Sequence, residues 1–391
     1  MFYGLTAAWL VSSLVVTQMP VKEIVSSQPV PVGPYSPAVK AGGFIYVSGT
    51  LAQDGSGVMV GQGDVGAQTR RIVERLRGVL EASGSSLEQV LTVTVYLRSA
   101  SDFQAMNDAY RTYWPKDPPT MTTVITDLVL PDALVEMSMV AAPKGAERVV
   151  VHPAGWTKSP NPYSYAIRSG DTLFMSGIVS RNGHDNSVVA GDVPAQTKAV
   201  LDNAREILAA AGMTFANVVS ARVYMPDGAG FQQMNETYRG YFPEAPPARA
   251  TVVAGLAGPQ YRVEITLIAS SSTKEIINVG AASPNLSTAV RVGKRIYLSG
   301  MLGNSETNKG DAAAQSRDTL ARIRGALAAA GATPADVVDS LVYLTDLKAF
   351  DAMNGAYRPF FEKDFPARTT VGVGLLVPGG VVEIMMTAVT R

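Results

Sequence analysis

The chain has 391 residues, 47% of them apolar and 17% charged, a globular composition with length enough for two to four domains that each bury a core. Lysine plus arginine and aspartate plus glutamate both number 33, so no excess of positive charge supports binding to nucleic acid. The absence of cysteine excludes disulfides, thiol nucleophiles and Cys-ligated metals, and the only imidazoles, His152 and His184, sit in the polar stretches VVHPAGW and RNGHDNS, where they read as surface-loop residues rather than zinc ligands or triad members.

The first segment, MFYGLTAAWLVSSLVVTQMP, is uncharged up to Lys22. It reads either as the apolar centre of an export signal, lacking a basic n-region and an A-x-A site, or as an N-terminal extension of another kind. The first reading makes the protein exported or periplasmic, the second leaves it cytoplasmic. Thr6, Ser12, Ser13, Thr17 and Gln18 make the segment a poor membrane-spanning helix.

Beyond this segment the chain repeats itself. Ser48-Gly49, Gly84, Asn107, Met121 and Glu136 recur 128 residues later as Ser176-Gly177, Gly212, Asn235, Arg249 and Glu264. The last four recur after a further 119 as Gly331, Asn354, Arg368 and Glu383, whereas Ser299-Gly300 follows at 123. The third copy is thus four residues shorter in one segment, GNSETNKG against SRNGHDNSVVAG. A constant offset broken only in a polar, Gly-rich segment marks duplication with a surface loop. The units are 22–145, 146–272 and 273–391, joined by the Pro-, Gly- and Ser-containing stretches 143–162 and 270–284.

In chain order each unit begins with a hairpin whose second strand is GFIYVSG, TLFMSG or RIYLSG. A helix follows, opened by Asp64, Asp192 or Asp311 as N-cap. In the first copy Ile72, Leu76, Val79 and Leu80 form its apolar stripe and Gly84 its left-handed stop. VLTVTVYL, VVSARVYM and VVDSLVYL read as β-branched strands. The second helix carries Met106, Tyr110 and Trp114 on one face. PTMTTV, PARATV and PARTTV then begin a strand that pairs with LVEMSMVA, RVEITLIA or VVEIMMTA. The order is ββαβαββ, and right-handed crossovers put both helices on one face of the sheet. The other, apolar face needs a partner, which three copies supply by packing their sheets around a pseudo-threefold axis. The expected fold class is α/β (α+β): three units forming an intramolecular pseudo-trimer with the helices outside, in a monomeric chain.

The ordered set GPYSPAV…YVSG, GD…AQT, F..MN..Y, PAR.TV and VEI resembles the RidA family (also called YjgF/YER057c/UK114) over residues 22–391. The resemblance implies a chorismate-mutase-like fold, clefts between neighbouring units, and hydrolysis of reactive enamines and imines to 2-keto acids and ammonia, with no cofactor and no metal. Arg249 and Arg368 match the family's carboxylate-binding arginine. Tyr35 and Tyr163 match its tyrosine, replaced by Leu286 in the third copy. Glu136, Glu264 and Glu383 match its glutamate near a water. Thr123, Thr251 and Thr370 stand where members often carry Cys or another small residue.

The physical chemistry of the residues agrees in part. A 2-imino acid presents a planar carboxylate beside an electrophilic C=N carbon, and arginine's rigid fork holds a carboxylate through two parallel hydrogen bonds. Met121 shows that the unit folds without arginine at this position, which favours ligand binding over a structural ion pair with Glu264 or Glu383. The expected substrate-binding residues are therefore Arg249, Arg368, Tyr35, Tyr163, Asn235 and Asn354, and the catalytic ones Glu264, Glu383, Thr251 and Thr370. For the glutamates and the helix asparagines a structural hydrogen-bonding role stays open. If each cleft takes its tyrosine from the preceding copy, Arg249 meets Tyr35, Arg368 meets Tyr163, and Met121 meets Leu286. Two clefts are then complete and one has decayed. The opposite direction pairs Arg368 with Tyr35 and leaves one. The partner expected is a small carboxylate substrate. A non-catalytic carboxylate binder or scaffold is the alternative, and ribonuclease activity, which the resemblance also allows, lacks basic clusters.

Overall fold

The structure, a computed structural model, describes residues 21–26 and 33–391; the apolar segment read as an export signal lies outside the described residues. Among the described residues three mixed sheets and six α-helices follow one another as three repeats. In the first sheet the strands lie in the order Lys22–Val25, Ala38–Ala41, Phe44–Thr50, Val135–Ala141, Val90–Leu97 and Thr120–Ile125. Two details differ from the sequence reading. An additional strand precedes each hairpin: Lys22–Val25, Val149–Val151 and Lys274–Ile277 pair antiparallel with Ala38–Ala41, Ala166–Ser169 and Ala289–Val292. Two of these strands fall in the stretches taken as linkers, where short apolar runs complete an open hairpin edge. In addition, Thr120–Ile125 does not pair with Val135–Ala141. It runs parallel to Val90–Leu97, while Val135–Ala141 inserts antiparallel between Val90–Leu97 and Phe44–Thr50. The helix Phe103–Arg111 is a crossover between the two parallel neighbours, and a crossover favours that arrangement.

The long helices Val65–Ala82, Val193–Ala210 and Ala312–Ala329 are capped as their sequences require. Asp64, Asp192 and Asp311 accept from the backbone N–H groups of Ala67, Ala195 and Ala314. Gly84, Gly212 and Gly331 follow with φ of +74°, +71° and +69°, a conformation that glycine adopts without steric cost. Ile72, Leu76 and Leu80 pack with Met106, Tyr110 and Trp114 over Val93, Val95 and Met137 of the sheet, so both helices of the first unit cover one face.

Alternation along the strands sends the next side chains to the opposite face. There Tyr96, Tyr224 and Tyr343, from the three equivalent strands, share one buried cluster with Val124, Val252 and Val371. Short strands cross between units as well. Gly255–Leu256 pairs with Thr120–Ile125, Gly374–Leu375 with Ala248–Val253, and Asp127–Leu128 with Ala367–Gly372. Each unit thus closes the exposed edge of another's sheet, and the three exchanges form a cycle. Leu128 and Leu256 are buried by these exchanges. Replacing either with alanine is expected to lower unfolding free energy by about 2–5 kcal/mol in denaturant titrations; an unchanged midpoint would show that the crossings are not cohesive.

Candidate functional site

The seams between units are fixed by the repeated Ser-Gly pair. Ser48 Oγ accepts the backbone N–H of Arg368 at 2.8 Å and donates to the Ser36 carbonyl at 2.6 Å, while the Ser36 N–H donates to the Pro366 carbonyl at 3.0 Å. The same clasp joins Ser299 to the N–H of Arg249 at 2.7 Å and Ser176 to that of Met121 at 2.9 Å. Each glycine has a separate duty. A Cβ on Gly49, Gly177 or Gly300 would collide with the carboxylate of Glu136, Glu264 or Glu383, so the missing side chain makes room for a buried carboxyl group.

These clasps set the pairing of clefts, and it is the reverse of the economical one. Arg368 of the third unit meets Tyr35 and Glu136 of the first. Met121 of the first meets the Ser176 end of the second, which carries Tyr163 and Glu264. Arg249 of the second meets the third, which carries Leu286 and Glu383. The expectation of two complete clefts is therefore corrected to one. A count of losses could not fix the direction, because it is decided by which neighbour's serine reaches the arginine strand.

The complete cleft opens on a cavity of about 1020 Å³ lined by residues of the first and third units, including Tyr35, Ser48, Glu136, Asn354, Arg368 and Thr370. Arg368, 4% exposed, donates from Nη1 to Asn354 Oδ1 at 2.8 Å. Its guanidinium carbon lies 4.9 Å from the ring centre of Tyr357 and 5.5 Å from those of Tyr35 and Phe350. Aromatic faces on several sides favour the cation and hold its plane. Burial raises the pKa of Glu136 to about 8, with Arg368 pulling the other way, so the acid carries its proton at neutral pH. Burial likewise raises Tyr35. Thr370 Oγ1 is buried with no partner among the described residues, a hydroxyl free to hold a water or a ligand atom.

The second constellation contains Arg249, Asn235, Thr251 and Glu383. Arg249, 3% exposed, donates from Nη2 to Asn235 Oδ1 at 2.6 Å and lies 4.6 Å over Tyr238, but it does not line the large cavity. Its Nε and Nη1, and Thr251 Oγ1, are buried without partners among the described residues. Glu383 is raised to about 8 by burial. In the third constellation Met121 is buried, Tyr163 packs edge-on to Tyr165 at 5.9 Å, and Glu264 is likewise raised to about 8.

The asparagines resolve a question the sequence left open. Asn235 and Asn354 each accept from their arginine, whereas both amide atoms of Asn107, in the copy that carries methionine, are buried without a partner among the described residues. The helix asparagine is the arginine's orienting acceptor. Glu136, which stands in the copy without arginine, lines the large cavity, as do Arg75, Phe350 and Arg358, none of which carries a local sequence signal for the cleft. Among the described residues no three His, Cys, Asp or Glu side chains converge to hold a metal ion, and no helix is long and apolar enough to cross a membrane. His152 and His184 are exposed and contact the backbone carbonyls of Trp156 and Gly155.

Comparison with known proteins places this geometry in a lineage. The family model described as Endoribonuclease L-PSP matches at residues 25–143, 156–271 and 277–390. A RutC family protein of Pyrococcus abyssi is 38% identical over 122 residues, 31% of this chain and 96% of that protein. The 3-aminoacrylate deaminase RutC of Acinetobacter baylyi is 40% identical over 122 residues, 31% of this chain and 97% of its own length. The crystal structure of a chorismatase superposes with a TM-score of 0.53 at 15% identity, covering 77% of this chain and 93% of the other, which is a likeness of fold alone. With one copy matching the nearly full length of single-unit relatives and the family model matching three times in succession, the chain belongs to the Endoribonuclease L-PSP (RidA/YjgF) family as a tandem triple.

Proposed function

We propose that the protein is an intramolecular pseudo-trimer that hydrolyses small 2-imino acids, such as 2-iminopropanoate, and their enamine tautomers to 2-keto acids and ammonia, at the single complete cleft between the third and first units. The observation that carries this reading is the convergence there of a buried, aromatically caged guanidinium, a proton-bearing glutamate and an unpartnered threonine hydroxyl around an open cavity. The deaminase activity named for the Acinetobacter baylyi relative supports the same chemistry. Arg368, oriented by Asn354, holds the carboxylate through its fork. Tyr35 walls the carboxylate side. Glu136 donates its proton to the imine nitrogen while the attacking water gives one up to it, forming a carbinolamine. The same carboxyl group then protonates the amine and accepts the hydroxyl proton, releasing ammonia and restoring itself. Thr370 positions the water. The electrophile is already activated, so no protein nucleophile is needed.

Arg368→Ala should lower kcat/KM for 2-iminopropanoate by about 100-fold or more, while Arg249→Ala retains most of the activity, as measured by keto-acid and ammonia release. Comparable losses from both changes would contradict the single-cleft reading, and tight binding of 2-oxobutanoate without any hydrolysis would favour a carboxylate binder instead. Activity that depends on a proton held by Glu136 should fall as pH rises through about 8, and Glu136→Gln should abolish it; a flat profile from pH 6 to 9 would remove Glu136 as the acid.

Stability carries the same signature. Glu136, Glu264 and Glu383 have folded values of about 8 against an ordinary 4.5. The stability each contributes by keeping its proton is complete below about 4.5 and is lost as pH rises through about 8. The melting temperature should therefore drop between pH 5 and 9, and Glu264→Gln should flatten that drop by about a third. A pH-independent melting temperature would show that the three carboxyl groups are already ionised.

A further inference from the structure

The cavity is larger than a three- or four-carbon acid requires, since about 1020 Å³ matches the upper range of sites for drug-sized ligands. Its far wall comes from the first helix of the first unit, through Arg75, Gly78, Val79 and Ala82 on one helical face. Arg75 is half-buried there and donates from Nη1 to the Leu51 carbonyl. It makes no ion pair among the described residues, and the undescribed segments contain no aspartate or glutamate. A half-buried guanidinium that lines an open cavity, with no carboxylate partner among the described residues, has donors beyond the Leu51 bond to offer an anion.

Two further observations bear on that element. The Tyr35 phenol lies within electrostatic reach of both Arg368 and Arg75, and all three line the cavity. The charge balance of the wall also favours an anion. Arg368, Arg75 and Arg358 face Glu136, which burial keeps protonated; Glu74, paired with Arg77 at 2.7 Å; and Asp351. The second unit shows what happens where such a site is not kept. Asn203 replaces Arg75, Glu206 replaces Gly78 and accepts from Trp156 Nε1 at 2.6 Å, and Trp156 packs against Gly183. The space left there is about 30 Å³. Gly78 and Ala82, by contrast, leave the helix face of the first unit low enough for a ligand to lie across it.

We infer that Arg75 forms a second anion subsite opposite Arg368, so that the substrate the cleft prefers is a 2-imino dicarboxylic acid. This inference rests on the imine-hydrolase reading for its chemistry but not for its binding geometry. The 2-carboxylate lies in the fork of Arg368, the side chain crosses the Tyr35 edge, and the distal carboxylate meets Arg75. The bonds made and broken at the imine carbon are those described above, and Arg75 takes no part in them; it is a specificity-determining residue.

The test compares 2-iminoglutarate with 2-iminopropanoate, each generated in situ from its amino acid by an amino-acid oxidase, with the full chain and its Arg75→Met and Arg75→Lys variants. The ratio of kcat/KM for diacid over monoacid should fall about tenfold or more in Arg75→Met, chiefly through KM, and recover in part in Arg75→Lys. An unchanged ratio, whether or not both rates fall together, would overturn the subsite. Calorimetric titration with 2-oxoglutarate and 2-oxobutanoate asks the same question without turnover. Tighter binding of the dicarboxylate that Arg75→Met abolishes supports the subsite, and equal binding of both acids overturns it. If the dicarboxylate binds through Arg75 yet neither imine is hydrolysed, the subsite stands and the hydrolase reading falls.

Discussion

The constraint on which this structure depends is that each repeat folds a sheet with only one face covered by helices. The other face is as apolar as a core, and burying it against two further sheets contributes more than any single polar contact can. Once three sheets meet, their edges lie beside one another, short strands cross between units, and the beginning of one unit is clasped by the arginine strand of another. The site is a consequence of that closure. Arg368 and Glu136 are far apart in sequence and belong to different units, and only the seam brings the cation and the acid to one cavity.

Placing three such seams in one chain frees them to diverge. In a homotrimer every cleft has the same residues, whereas here each seam carries its own. One keeps arginine, tyrosine and glutamate; one has arginine and glutamate with leucine; one has tyrosine and glutamate with methionine. The buried glutamate and its glycine persist in all three, although burial disfavours the charge of each carboxylate. The arginine behaves differently. Where it is replaced, the asparagine that would orient it is buried without a partner among the described residues. Where the arginine is present the asparagine orients it, and the Ser-Gly clasp holds the seam in all three copies.

Much of this was legible in the sequence where local chemistry decides the outcome. The aspartate caps and the left-handed glycines follow from rules that act within a few residues and stand in the structure as read, whereas the second helix of the first unit ends at Arg111, so that Trp114, buried with Met106 and Tyr110, follows it rather than lying on it. The strand opened by PARTTV lies beside Val337–Leu344 rather than Val382–Val389, because register and order in a sheet are long-range properties that periodicity does not encode. The cleft direction was missed for a related reason: which neighbour offers its serine depends on the hand of the assembly. Glu136 was legible as a repeat anchor but not as the partner of Arg368. Arg75 carried no local signal, because an arginine on an amphipathic helix reads as solvated until the cavity beside it is seen.

Closure of the three units leaves one complete cleft in each chain. Calorimetric titration of the intact protein with 2-oxobutanoate tests it most directly through stoichiometry. One ligand should bind per chain, with binding lost on Arg368→Ala and kept on Arg249→Ala. Two or three equivalent sites per chain, or one site that survives the loss of Arg368, would contradict it.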